Sequence, residues 1–213
     1  MKKVFLLLLF FQIRLLAQTD QEIAFQQIKD LKNGVLIVLI ETSQNKLEAL
    51  EKAKQKSSNQ AEISKEIEGI KNKIAFVRQE TKLAFDSIYT FSKVLFAPDT
   101  ILKTIHKKSP SYFYNENWEV VEKVLDNENY YFLYQGITQS IGMEAYIIGD
   151  KNGKDLKPPF PYYVKRNNLG NNFLNIFDKS KEVNRKIKNV IQTLDSRLSR
   201  FYLGMLEKEQ LAK

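Results

Sequence analysis

The sequence predicts an α/β domain with a small mixed β-sheet, a long helical excursion at about residues 43–90 and a long C-terminal helix. Three observations indicate this class. The continuous apolar run Val35–Ile40 is typical of a strand buried on both faces. Apolar residues recur at helical spacing over residues 63–88 and again over residues 183–205. Finally, 43% of the 213 residues are hydrophobic, which is enough for one sizeable core.

The N-terminus has the layout of a secretory signal peptide. Two lysines precede the apolar run Val4–Phe11, and Ala17 is the small residue after which we expect cleavage. An uncleaved membrane anchor is the alternative, but Arg14 interrupts the run well before the roughly 20 residues that span a bilayer. We therefore expect residues 1–17 to be removed and residues 18–213 to form one periplasmic or secreted domain. No cysteine follows the run, so we expect membrane contact only through the signal peptide before cleavage.

Composition excludes several chemistries. The chain has no cysteine, which excludes disulfides, thiol redox chemistry and thiolate metal sites. His106 is the single histidine and lies at the basic end of a predicted short helix, which disfavours a histidine metal site or a Ser-His-Asp triad. Neither a G-x-G-x-x-G nor a G-K-[ST] pattern occurs, so no nucleotide cofactor is expected.

The positive charge is modest once the signal peptide is removed. The formal charge falls from +8 to +5, because the leader takes three basic residues and no acid with it. Beyond Lys179 to Arg200 we find no basic stripe of the kind that nucleic acid requires. No nucleic-acid partner is therefore expected.

The first half of the chain predicts a helix, a strand and a helical excursion. Residues 20–32 form a helix that ends at Gly34, and the buried strand follows it directly. Residues 43–90 form either one long helix or a helical hairpin bent near residues 57–59. The apolar seam of this excursion either packs on the protein's own sheet or forms a coiled-coil surface for a partner.

The second half supplies the remaining strands and the last helix. We predict strands at 91–99, 130–136 and 144–149, two helical turns at 100–107, and a helix at 173–207 that lies across the sheet. Asn152-Gly153 predicts a type I′ turn that pairs residues 144–149 with residues 154–157. Three prolines at 158, 159 and 161 then end the pairing, because proline cannot donate to a strand ladder.

Acidic clusters do not predict a metal or acid–base site. The loops at 126–129 and 150–155 lack the glycine and the closing glutamate of a calcium loop at the required spacing. Carboxylates are abundant, but many have a lysine four residues away on a helix face, and no pair stands out. We therefore assign no catalytic, cofactor-binding or metal-binding residue.

Aromatic residues near predicted loops are the remaining candidates. Tyrosine and tryptophan combine rigid area with a polar tip, which suits contact with a protein or glycan. The alternative is that these side chains close the edge of a small core. The candidate binding surface consists of Tyr112, Tyr114, Trp118, Phe160, Tyr162 and Tyr163.

The predicted order of helices and strands resembles that of thioredoxin-like α/β proteins. The strand Val35–Ile40 is followed by "ETSQNK", where that family has a C-x-x-C pair, so the resemblance implies a fold but no redox activity. The signal peptide ends in Ala-Gln, as do those of exported proteins of the Bacteroidota. In this the chain is similar to uncharacterised secreted proteins of that group, which implies no activity.

These observations predict an exported, non-catalytic interaction or envelope-associated protein. Its partner would be another protein or a second copy of itself, bound through the helical excursion or the aromatic edge. The alternative is a hydrolase-type enzyme that uses carboxylates and tyrosines at strand ends. A concave pocket with two buried carboxylates would favour the enzyme, whereas a solvent-projecting apolar seam or a flat aromatic patch would favour the interaction protein.

Overall fold

The computed structural model describes residues 19–103, 112–123, 125, 129–139, 141–166 and 180–211. The helices are α1 (Asp20–Asn33), α2 (Gln44–Lys56), α3 (Gln60–Ile88) and α4 (Ser180–Leu211), with a 3₁₀-helix at Asp99–Lys103. The strands are β1 (Val35–Ile40), β2 (Lys93–Pro98), β3 (Tyr112–Tyr114), β4 (Val120–Glu122), β5 (Tyr130–Ile137), β6 (Glu144–Gly149) and β7 (Tyr163–Lys165). The predicted mixed α/β class is confirmed.

The main sheet has five strands in the order β2-β1-β5-β6-β7. Strand β1 runs parallel to both β2 and β5, whereas β6 runs antiparallel to β5 and β7. Strands β3 and β4 form a separate antiparallel hairpin, and β3 packs beside β2. After β1 the chain therefore leads to β2 on one side, and after β2 it returns to β5 on the other side of β1.

Strand β1 lies inside the sheet, between β2 and β5, and is buried on both faces, as predicted. Leu36, Val38 and Ile40 point into the larger core, which contains buried residues of α1, α3 and α4. The alternate residues of β1 point into a smaller core that contains residues of the 3₁₀-helix and of β3. Burying a large aliphatic side chain stabilises a fold by roughly 1.5–3 kcal/mol. The six residues of β1 therefore contribute to both layers of the domain.

Helix α1 has defined ends. Thr19 and Glu22 form a capping box at its start, in which each side chain accepts a hydrogen bond from the other residue's backbone N–H. At its end, a side chain at Gly34 would collide with the carbonyl oxygens of Asn129 and Asp30. The lack of a Cβ lets β1 begin beside the start of β5, where the Val35 N–H donates to the Asn129 oxygen at 3.0 Å.

The helical excursion is a hairpin, the second of the two predicted forms. Helices α2 and α3 are separated by residues 57–59 and contact each other. The seam of α3 packs on the protein itself: Ile67, Ala84 and Phe85 are buried, and α3 also contacts α4. None of the residues in α2 is buried. Part of this seam is therefore buried against α2, α4 and the larger core, and a coiled-coil surface for a partner stays a prediction.

The loop after β6 differs from the prediction. Gly153 has φ +73°, but Asn152 does not have a positive φ, so the type I′ turn is wrong. The carboxylate of Asp150 accepts hydrogen bonds from the backbone N–H groups of Asn152 and Lys154, at 2.8 and 2.9 Å. These bonds stabilise a three-residue loop in which only the glycine is left-handed.

The strand pairing after this loop also differs. Residues 154–157 pair with the end of β6 only through an isolated bridge between Gly149 and Asp155 and two backbone bonds, from Asp150 to Lys154 at 2.8 Å and from Leu156 to Ile148 at 3.1 Å. The partner of β6 on this side is β7, which follows the prolines. The prolines therefore end one short pairing, and the chain then returns to the same edge.

Helix α4 is tied to the connection between α3 and β2 by one carboxylate. Asp195 accepts hydrogen bonds from the backbone N–H groups of Thr90 at 2.7 Å and Phe91 at 3.0 Å. The Phe91 side chain beside it is 2% exposed, so this contact joins the end of α3 to the core.

We expect Asp195→Ala to lower the free energy of unfolding by about 1–3 kcal/mol, because it leaves two backbone donors without their acceptor. Urea denaturation measures the change. Ser196→Ala is the matched control, since Ser196 is the exposed neighbour on the same helix. Equal stability of the two variants would contradict the assigned role of the carboxylate.

Candidate functional site

A cleft opens at the carboxyl ends of the two central parallel strands. In open α/β sheets, ligands bind outside the carboxyl ends of strands, where the chain connections diverge to opposite sides. Here that point lies between β1 and β5. A cavity of about 210 Å³ occupies it, lined by residues of β1, β5, β6, α3 and α4, together with residues that follow β1 and β7.

The walls of this cleft are mostly apolar. The sheet supplies Val38 of β1 and Leu133 of β5, which are paired opposite each other in the two parallel strands. Helix α3 supplies Ile74 and Val77 from its seam, and helix α4 supplies Ile187 from the facing side. The seam that the sequence singles out as a candidate partner surface is thus, in part, the wall of a cavity.

Two neutral polar side chains from the sheet also line the cleft. Gln135 and Tyr146 are directly opposite each other on β5 and β6, and the Gln135 amide donates to the Tyr146 hydroxyl at 3.2 Å. Burial raises the pKa of Tyr146 to about 12; the positive charge of Arg166 opposes this rise and the negative charge of Glu41 adds to it. The hydroxyl is therefore protonated at neutral pH.

Four charged side chains line the cleft, three of them cationic. Lys46 lies in the first turn of α2, Lys73 in the middle of α3, and Arg166 directly after β7, whereas Glu41 follows β1. The backbone N–H of Arg166 donates to the carbonyl oxygen of Glu144 at 3.0 Å, which fixes this residue at the edge of the sheet. The cleft therefore combines apolar walls with positive charge.

Lys73 has an altered basicity in this cleft. Desolvation lowers the pKa of its amine to about 8. The negative charge of Glu41 opposes the shift, and repulsion from Lys46 and Arg166 adds to it. Strongly shifted pKa values inside a concave site are typical of functional positions.

We expect the unfolding free energy to show this shift as a pH dependence. The pKa of Lys73 is about 8 in the folded chain against the ordinary value of 10.5. The unfolded chain therefore binds more protons between these pH values, and Lys73 makes stability rise with pH across that interval. Lys73→Met should be more stable than the wild type at pH 7, and this advantage should shrink as the pH rises from 8 to 10.5.

Urea denaturation at several pH values measures this difference, in which the effects of titrating groups that do not interact with Lys73 cancel. Lys71→Met is the matched control, because Lys71 is exposed on the same helix and does not line the cleft. A Lys73→Met advantage that stays constant with pH would contradict the assigned pKa.

Two of the six predicted aromatic residues cannot form an exposed binding edge. Phe160 is 2% exposed and Tyr162 is 4% exposed, and both belong to the larger core. The proline-containing segment packs against α4, where the rings of Phe160 and Phe201 are 6.0 Å apart. The expectation of an exposed surface at these two positions is therefore wrong.

Of the other four aromatic residues, Tyr112, Tyr114 and Trp118 lie on the β3–β4 hairpin, where the rings of Tyr114 and Trp118 are 5.4 Å apart, and Tyr163 lies on β7. Tyr112 is 52% exposed on the β3–β4 hairpin, whereas Tyr114 and Trp118 are half-buried against the larger core. Tyr163 is half-buried on β7, with its ring 5.0 Å from that of Tyr162. No single surface unites the six residues, and a binding role for Tyr112 stays a prediction.

Trp118 occupies an unusual backbone position. Its φ is +63°. In this loop, the Trp118 N–H donates to the Asn115 oxygen at 3.0 Å and the Asn115 N–H donates to the Glu119 oxygen at 2.9 Å. The loop that ends at Gly153 has the same pattern of backbone hydrogen bonds. The indole ring packs under the guanidinium of Arg78, at 4.9 Å. This packing compensates for a conformation that glycine would adopt more easily.

Two features of the sequence indicate the cleft, and neither concerns the aromatic residues. Lys73 lies between Ile70 and Val77 at helical spacing, so a lysine lies within the apolar seam of α3. Gln135 alternates with Leu133 along β5, which places a polar side chain on the core-facing side of a strand. Each is a polar residue where the pattern requires an apolar one.

Several sequence-based hypotheses concern residues outside the described ranges. These are the signal peptide at 1–17, His106, residues 126–128 and the beginning of the last helix at 173–179. Within the described ranges, no group of three or more His, Cys, Asp or Glu residues could hold a metal ion. No described helix has both the length and the apolar character needed to cross a membrane.

Comparisons with protein-family models, with curated proteins and with solved structures find no match. The resemblance to thioredoxin-like proteins in element order, and the similarity to secreted proteins of the Bacteroidota, therefore stay predictions. The geometry of the cleft is the basis for the function proposed below.

Proposed function

We propose that this protein is an exported, non-catalytic binding protein that takes a small amphipathic molecule into the cleft between β1, β5, α3 and α4. The observation that carries this proposal is the composition of the cleft: apolar walls and a few polar groups at the point where the strand connections diverge. The apolar part of the ligand lies between Val38, Val77 and Ile187. Its polar end lies near Gln135 and Tyr146.

The composition of the cleft supports binding over hydrolysis. Acid–base hydrolysis with carboxylates uses a pair of them, one on each side of the bond that is broken. The residues that line this cleft include one carboxylate, Glu41, and it is exposed. The tyrosine beside it, Tyr146, has a pKa of about 12 and keeps its proton at neutral pH. This arrangement suits hydrogen bonding to a ligand.

The size of the cavity limits the ligand. Its volume of about 210 Å³ is below the roughly 300–1,000 Å³ that is usual for sites of drug-sized molecules. We therefore propose a small ligand with a short aliphatic chain or a compact aromatic body, no larger than N-phenyl-1-naphthylamine.

The binding proposal is tested with a neutral apolar fluorophore, N-phenyl-1-naphthylamine, titrated into the mature chain. We expect saturable binding at one site per chain and a midpoint of thermal unfolding that rises with probe concentration, because a ligand bound only by the folded state stabilises it. A fluorescence change that does not saturate, together with an unchanged midpoint, would contradict the proposal.

Export and partner binding are separate parts of the proposal. Export predicts that the full chain, expressed in a Gram-negative host, yields a periplasmic or secreted product that begins after Ala17; mass spectrometry of that product tests it. A full-length product retained in the membrane would favour the uncleaved anchor.

Self-association is tested by size-exclusion chromatography with light scattering of the mature chain. A strictly monomeric protein would exclude a second copy of the chain as the partner.

A further inference from the structure

We infer that the ligand of the cleft is an anion: a small molecule with an apolar body and a carboxylate at one end. This inference rests on the proposed function and assigns the chemical class of the ligand. The polar end of the ligand lies among Lys73, Arg166 and Tyr146, and its apolar body lies along α3 and α4.

The charges that line the cleft favour an anion. Lys46, Lys73 and Arg166 line it, against the single carboxylate of Glu41. Lys46 also forms a 3.1 Å ion pair with Glu66, but both side chains of that pair are about half exposed, so the pair is weak. Cations therefore dominate at the less exposed end of the cleft, where Lys73 and Arg166 are half-buried.

These cations are close enough to affect one another. Desolvation is the main reason why protonation of the Lys73 amine is less favourable; the charge of Glu41 opposes this effect, and Lys46 and Arg166 each add to it. A ligand carboxylate near Lys73 and Arg166 would make protonation of the Lys73 amine favourable again, because opposite charges attract more strongly in a desolvated site than in water. The planar guanidinium of Arg166 can also donate two parallel hydrogen bonds to a carboxylate.

The start of helix α2 adds positive potential at the same place. Ser43 is the N-cap of α2 and lines the cleft, but its side chain forms no capping bond; its hydroxyl donates to Glu41 at 3.1 Å instead. The first turn of α2 contains no acidic residue. Backbone N–H groups at a helix N-terminus favour negative charge, so this end of α2 supports the same ligand class as the three cations.

Tyr146 can act as a neutral donor to the same group. Its hydroxyl accepts a hydrogen bond from Gln135 at 3.2 Å, which lets its own hydrogen donate to a ligand oxygen. It stays protonated through the neutral and mildly basic range. A carboxylate at this position would thus receive bonds from both charged and neutral donors.

The test compares three competitors that share one aliphatic chain and differ in the end group: octanoate, 1-octanol and octylammonium. Each displaces N-phenyl-1-naphthylamine from the mature chain at pH 7. We expect octanoate to bind at least about tenfold more tightly than 1-octanol, because hydrogen bonds to charged groups stabilise more than neutral ones. We expect octylammonium to bind most weakly.

Variants that each lack one positive charge identify the residues that bind the carboxylate. Lys73→Met and Arg166→Met should each weaken octanoate binding about tenfold and leave the affinity for 1-octanol unchanged. Lys73→Arg, which keeps the charge, should retain most of the octanoate affinity. Lys71→Met and Arg185→Met are the matched controls, because both residues are exposed on the same two helices that form the walls and neither lines the cleft.

A pH series provides a second readout. The groups that act on Lys73 are Glu41, Lys46 and Arg166, and Tyr146 lines the same cleft. Lys73 loses its proton around pH 8, whereas Tyr146 stays neutral. The preference for octanoate over 1-octanol should therefore fall between pH 7 and pH 9.5 in the wild type and stay constant in Lys73→Met.

The outcomes separate this inference from the proposed function. If the fluorophore binds but octanoate binds no better than 1-octanol, the anion assignment is overturned and the proposed function stands. If neither the fluorophore nor octanoate binds, both are overturned. If Lys73→Met weakens all competitors equally, Lys73 has a structural role and the assignment of its charge to the ligand is overturned.

Discussion

Val77→Phe is expected to lower the affinity of the cleft for N-phenyl-1-naphthylamine and for octanoate by at least about tenfold. Val77 lines the cavity from helix α3 and is half-buried, so a larger ring at this position occupies space that the ligand needs. Overfilling a packed site costs roughly 1–3 kcal/mol, and each 1.4 kcal/mol corresponds to about a tenfold change in affinity. In the free protein, the ring enters an existing cavity of about 210 Å³, so we expect little loss of stability.

Val120→Phe is the matched control for this substitution. Val120 is 53% exposed on strand β4 and does not line the cleft. Probe titration and urea denaturation of both variants provide the comparison. Unchanged probe affinity in Val77→Phe, with its fold intact, would show that the ligand binds elsewhere.

Leu198→Ala is expected to lower the free energy of unfolding by about 2–5 kcal/mol, the largest effect on stability that we predict. Leu198 is 0% exposed in the larger core, where helix α4 packs against the rest of the domain. The substitution removes buried methyl groups and leaves a cavity that the surrounding helices and sheet can only partly fill. Urea denaturation monitored by circular dichroism measures the change.

Leu203→Ala provides the control on the same helix. Leu203 is 57% exposed, and its loss should change the unfolding free energy by less than about 0.5 kcal/mol. Similar losses in the two variants would contradict the packing of α4 described above. Since α4 also supplies Ile187 to the wall of the cleft, we expect Leu198→Ala to weaken probe binding as well.

Local patterns in the sequence were sufficient to predict most of the individual elements. The apolar run of β1 indicates a strand buried on both faces because no polar alternation interrupts it. The interruption of the apolar pattern near residues 57–59 made a helical hairpin one of the two predicted forms, and α2 ends and α3 begins there. Such signals depend on neighbours a few positions away, and they do not require knowledge of the sheet order.

The cleft could not be predicted in the same way, because its residues come from distant parts of the chain. Glu41, Lys73 and Arg166 come together only when β1 lies between β2 and β5 and when α3 packs on the same face. Strands β1 and β5 are separated in the sequence by residues 41–129, and no local pattern specifies that they pair in parallel. The two local signals are Lys73 within the seam of α3 and Gln135 on the core-facing side of β5, each a polar residue among apolar ones.

The aromatic hypothesis failed at two positions for a related reason. Phe160 and Tyr162 lie among prolines, a composition typical of exposed loops. Both side chains are nevertheless buried, because the segment returns to the edge of β6 and packs against Phe201 of α4. Loop composition predicts the backbone conformation better than it predicts the burial of the side chains that the loop carries.

The most direct test of the proposed binding site is methyl NMR spectroscopy of the mature chain during titration with octanoate. We expect saturable shift changes in methyl groups of the cleft, at Val38, Ile74, Val77, Leu133 and Ile187. The exposed methyl groups of Val120, Ile137 and Leu203 should not change. Changes confined to the exposed groups, or no saturable change at any methyl group, would contradict the proposed binding site.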